Sequence, residues 1–129
     1  MDRNFQRMRE GFNTAFIDGS TSSDAGFRPQ FISNDYRRGK KVVAAIEREL
    51  KRCDEFFISA AFITRGGITP LLQTLKELES RGVKGKVLTT DYLAFSEPGA
   101  LRKLNTLRNV EVKMCFTAGR AAGFHTKGY

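Results

Sequence analysis

The chain has 129 residues, 40% hydrophobic and 28% charged, which suits one domain with a core and is unlike a disordered polypeptide. It carries 22 Lys and Arg against 14 Asp and Glu, a formal charge of +8, which fits either a polyanionic partner such as nucleic acid or a plain solvated basic surface. Two cysteines exclude a disulfide framework, and one histidine with no C-x-x-C excludes the common metal-ligand spacings. With no long apolar run to mark a signal peptide or membrane span, the expectation is a cytoplasmic protein that needs no metal or cofactor, with Cys53 and Cys115 as buried thiols.

In chain order, Phe5, Met8, Phe12 and Phe16 recur at roughly helical spacing among basic residues and predict a helix over residues 2 to 17. Residues 18 to 26 are rich in Gly, Ser, Thr and Asp and read as a linker, so residues 1 to 28 form an appendage of helix and linker. Ser33, Asn34 and Asp35 offer caps for a helix running to about Arg52, with Val43, Ile46, Leu50 and Cys53 as its apolar stripe. Residues 56 to 63 are almost wholly apolar and predict a strand buried on both faces, as in a parallel sheet. Residues 64 to 67 read as a turn, after which Thr69 caps a helix with Pro70 at its first position. That helix turns Leu71, Leu72, Leu75 and Leu78 inward, and Gly82 ends it in a left-handed cap.

A strand follows over residues 86 to 90. Ser96, Glu97 and Pro98 then open a helix with Leu101, Leu104 and Leu107 inward. Val110, Val112, Met114 and Phe116 alternate with Glu111, Lys113 and Cys115, a half-exposed strand nearer an edge. A loop over residues 119 to 123 leads to a last strand over residues 124 to 129. Strands alternating with helices predict an α/β layered sandwich with a largely parallel sheet. Its expected core is Phe56, Ile58, Ala60, Phe62, Val87, Leu88, Val112 and Met114, covered by Val43, Ile46, Leu50, Leu71, Leu75, Leu78 and Leu104.

His125 is the only histidine, and on an extended segment it projects with Lys127, about 7 Å away along the backbone. A nitrogen nucleophile beside a fixed cation suits attack on a phosphate ester, while a lone strand histidine also serves as an ordinary hydrogen-bonded side chain. In an α/β sheet ligands gather beyond the carboxyl ends of the strands, which singles out residues 64 to 67 with Arg65, and residues 89 to 92 with Asp91. The first is an anion site or an ordinary strand-to-helix turn, and Asp91 is a site carboxylate or a turn former. Arg37, Arg38, Lys40 and Lys41 lead into the first long helix and serve as phosphate contacts or as its wet face.

Over residues 29 to 129 the chain resembles the phospholipase D-like superfamily, whose signature is H-x-K-x4-D followed by G-S-x-N. Residues 124 to 129, Phe-His-Thr-Lys-Gly-Tyr, match its first half. Residues 53 to 62 match its first strand, Ser80-Arg81-Gly82-Val83 the step before the second strand, and residues 86 to 91 that strand. The Arg-Gly-Val step is typical of the nuclease branch. Residues 30 to 36, with Phe62-Ile63-Thr64 and residues 67 to 72, resemble a bacterial subgroup in which this module stands at the N-terminus of a DEAD/DEAH-type superfamily-two helicase.

The resemblance implies a metal-independent phosphodiesterase in which His125 attacks phosphorus to give a phosphohistidine and Lys127 binds the non-bridging oxygens. A second motif, from another repeat or a second subunit, supplies the acid, which implies a homodimer as one arrangement. Only Gly128 and Tyr129 follow Lys127, so the motif Asp and the G-S-x-N segment are expected outside this chain, a truncated domain expected to be inert by itself. The expected partners are DNA or another nucleic acid and the helicase region. The alternative is a non-catalytic nucleic-acid-binding or docking module of the helicase. A lipid-cleaving role fits poorly, because no membrane-binding segment is evident.

Overall fold

The computed structural model describes residues 2–16, 30–117 and 127–129. The expected linker, the 119–123 loop and His125 lie outside the described residues. Within them, three runs with β-period alternation form one sheet: β1 Glu55–Ser59, β2 Lys84–Thr90 and β3 Val110–Cys115. The order is β1-β2-β3 and both pairings are parallel. Parallel neighbours need crossovers, and helices provide them. Between β1 and β2 run α3 (Arg65–Ile68), a 3-10 turn (Thr69–Leu71) and α4 (Leu72–Ser80), and between β2 and β3 runs α5 (Pro98–Asn105). Two further helices precede the sheet, α1 (Arg3–Phe16) and α2 (Val42–Leu50). The expected α/β class and parallel sheet are present.

Successive strands added on the same side by right-handed crossovers put their helices on one face of the sheet. The register carries Phe56, Gly85 and Val110 in one row and Ile58, Val87 and Val112 in the next, all toward the helices. The Phe56 ring lies directly over Gly85, where a Cβ would collide with it. Leu50, Leu71, Leu75, Leu78 and Leu104 close the core from the helix side, with Leu75 only 1% exposed.

The opposite face is open among the described residues. Phe57, Lys86 and Glu111 share one row there, and Phe57 is 55% exposed. β1 is therefore not buried on both faces. Leu88, expected in the core, is 41% exposed on that face, and Cys115, expected to be buried, is exposed. A parallel sheet commonly has both faces covered; here the helices cover one. Phe62 and Met114, also expected in the core, are half-buried and stand apart from the main cluster.

Two helix starts differ from expectation. Asp35 does not cap a helix: its Oδ1 accepts the amides of Arg37 and Arg38, both at 3.1 Å, inside a hairpin closed by paired Asp35–Lys40 hydrogen bonds of 2.9 Å. Gly39 completes that hairpin at a φ of +65°, a conformation open to glycine. Helix α2 begins only at Val42, whose amide donates to Asn34 Oδ1 at 2.9 Å, so one expected cap acts from outside the helix.

Residues 64 to 67 are not a plain turn. Thr64 caps α3 by accepting the Gly67 amide at 3.1 Å, and Thr69 sits a turn later, donating to the Arg65 carbonyl at 2.6 Å. The end of α4 is as expected. Gly82, at a φ of +73°, lets Val83 donate to the Leu78 carbonyl and its own amide donate to Glu79, each at 3.0 Å.

Helix α1 presents Phe5, Met8 and Phe12 more than half exposed. No described helix is long and apolar enough to cross a membrane.

Candidate functional site

Lys127 reaches the sheet through its neighbour. Gly128 pairs antiparallel with Ser59: each amide donates to the other's carbonyl at 2.8 Å. A strand laid antiparallel beside β1 runs back toward its amino end, so Lys127 stands at the carboxyl end of β1 and Tyr129 beside its middle. The Lys127 ammonium lies over the Phe62 ring, 5.7 Å from its centroid, a cation–π contact. Phe62, Thr64, Gly67, Lys127 and Tyr129 contribute to the walls of a cleft of about 200 Å³ against the apolar core.

The chain beyond Ser59 is fastened there by the loop between β2 and α5. Thr90 Oγ1 donates to the Ala61 carbonyl at 2.8 Å, and Ser96 Oγ accepts the Ile63 amide at 3.2 Å while donating to the Thr90 carbonyl at 3.1 Å. Thr89 and Thr90 are fully buried, so both hydroxyls need partners. Ser96 Oγ lies 3.3 Å from Thr89 Oγ1, and Thr90 Oγ1 also accepts the Tyr92 amide at 3.0 Å. The Glu97 amide donates to Ile63 at 2.8 Å, which closes the knot.

Around this knot stand three rings. Phe95 meets Phe62 edge-on at 5.7 Å between centroids and Tyr92 edge-on at 6.2 Å. No spacing in the sequence marks the trio, because its members come from the end of β1 and from the loop after β2. Only the parallel pairing of those strands unites them.

Arg65 is at the same end, but its guanidinium is engaged. Its Nε lies 3.8 Å from Glu97 Oε2, and its amide donates to the same oxygen at 3.1 Å. The side chain extends across Gly99. Asp91 acts as a tie rather than an open carboxylate. Its Oδ1 accepts Thr117 Oγ1 at 2.6 Å and the Thr117 amide at 2.8 Å, and the hydroxyl first and the amide second hold its carboxyl below the ordinary aspartate range.

Arg37, Arg38, Lys40 and Lys41 are all exposed, on the 35–40 hairpin and the residue after it. Lys51, at the end of α2, pairs with Glu77 of α4 at 3.7 Å, and its carbonyl accepts Arg81 Nη1 at 2.7 Å, which fixes that end of α2 near the amino ends of the strands. The hairpin lies at the other end of α2, away from that tie to α4. Arg38 Nε lies 3.7 Å from Asp35, a solvent-screened contact of little worth. The structure thus brings Lys127 and Arg65 to one end of the sheet, with Arg65 in a solvent-screened pair with Glu97, while the basic hairpin stands at the start of α2.

No protein-family model and no curated protein matches this chain.

Proposed function

We propose that this chain is the N-terminal phospholipase D-like phosphodiesterase module of a helicase- or restriction-type protein, acting on DNA through a phosphohistidine on His125. The observation that carries the reading is the Gly128–Ser59 pairing, which sets Lys127 at the carboxyl end of a parallel strand. That end is where an α/β sheet receives ligands, and there an ammonium can take charge developing on a phosphate. His125, two residues before it, brings the one imidazole in the chain, a competent nucleophile when neutral. A second motif, from a further repeat or subunit, supplies the acid for a poor leaving group. The exposed Arg37, Arg38, Lys40 and Lys41 support approach of a phosphate backbone.

An activated diester tests the reading on this chain, because nitrophenolate leaves without a general acid. In EDTA, a nitrophenyl nucleotide diester should release a burst of nitrophenolate stoichiometric with protein. His125→Ala should abolish the burst, and Lys127→Ala should slow it about 100- to 1,000-fold. A burst that survives His125→Ala removes the histidine from the chemistry.

A further inference from the structure

The turn after β2 displays apolar side chains to solvent on an unusual backbone. Leu93 and Ala94 are consecutive non-glycine residues with positive φ, +47° and +55°. Such backbone is unfavourable for residues with a Cβ and persists only where its surroundings hold it. Here the Ala94 amide donates to Asp91 at 3.0 Å and the Phe95 amide to Tyr92 at 3.1 Å, while Thr90 and Ser96 anchor the two ends. The product is a braced loop that presents Leu93 at 65% exposure and Phe95 at 51%, with Tyr92 beside them.

One step of 5.7 Å separates the Phe95 ring from that of Phe62, and another of 5.7 Å separates Phe62 from the Lys127 ammonium. An aromatic surface and a cation that share Phe62 as a neighbour complement a base joined to its phosphate. An ammonium held over a ring keeps donors for a phosphate oxygen. Duplex bases are stacked on each other and offer no face to such a loop. An unpaired base does.

We propose, resting on the phosphodiester reading of this end of the sheet, that Phe95, with Tyr92 set edge-on beside it, is a stacking platform for an unpaired nucleobase whose phosphate Lys127 holds. The ligand class is therefore single-stranded nucleic acid, or a strand end with its last base splayed out. The braced backbone keeps the platform formed before the ligand arrives, so little ordering accompanies binding.

The test compares a short oligothymidine with an abasic oligomer of equal length and equal phosphate number. The native chain should bind the thymidine strand tighter by about 5- to 150-fold for each stacked base. Phe95→Ala should erase that difference while leaving the salt dependence of binding unchanged. Phe95→Trp should keep it, and since the chain has no tryptophan, the indole emission should be quenched by the thymidine strand alone. Equal affinity for the two oligomers, with the nitrophenolate burst retained, removes the platform and leaves the phosphodiester reading standing. A preference for bases that survives both Phe95→Ala and Tyr92→Ala also overturns it. Binding of neither oligomer defeats the platform and the nucleic-acid reading together.

Discussion

Asp91 shows how a single residue at the end of a strand is read. By sequence a carboxylate there is more often a helix cap or turn former than a site residue, and the structure makes it a brace between the end of β2 and the chain leaving β3. The two hydrogen bonds from Thr117 favour its charged form, so its folded pKa lies below its unfolded one. The stabilisation is therefore complete above the unfolded pKa and is lost as pH falls through the folded one. Denaturant unfolding followed from neutral pH into the acid range should show that loss in the native chain and a flatter acid limb in Asp91→Asn. An unchanged acid limb would mean that Thr117 does not hold the carboxylate in solution. Thr117 is 26 residues away in sequence, and only the parallel β2–β3 register brings it near. Composition and spacing carry no trace of such a contact. Cys115 and Leu88 are exposed where burial is expected from the sequence. Cys115 alternates onto the side of Glu111 and Lys113, the face the helices leave open, and Leu88 shares that face although it is itself apolar.

At the scale of elements, local chemistry was the better guide. The Leu71, Leu75 and Leu78 stripe, the Gly82 cap and Pro98 opening α5 were all readable, because each depends on residues within two turns of itself. Leu75 is almost wholly enclosed on α4, so Leu75→Ala should destabilise the chain by about 2–5 kcal/mol, read from the urea midpoint at an unchanged slope. A loss below about 1 kcal/mol would mean that α4 does not pack on the sheet as described. Helix starts were less legible. Thr64 and Thr69 are both acceptable caps by residue type, and Asp35 serves a hairpin as readily as a cap. The choice between such caps is made by what the rest of the chain packs against. For Asn34 the distance is eight residues, beyond the reach of any capping pattern.

The molecule as a whole joins a basic chain to a three-stranded parallel sheet with α2 to α5 packed on one face and Lys127 at the carboxyl end of β1. The class of fold followed from the alternation of strands and helices. The carboxyl ends of the strands are where the rule for α/β ligands looks for a site, and Lys127 lies there. The aromatic trio and the pairing of Arg65 with Glu97 did not follow, since both depend on the loop after β2 meeting the end of β1. The central claim is chemical: His125 bonds to phosphorus. Its most direct measurement is the intact mass of the chain, followed by peptide mapping, after reaction with the nitrophenyl nucleotide diester in EDTA and an alkaline quench. The account predicts one nucleotidyl group per chain, mapped to His125, stable in alkali and lost in acid as a phosphoramidate is. Nitrophenolate release without any such adduct, or an adduct on another residue, would contradict it.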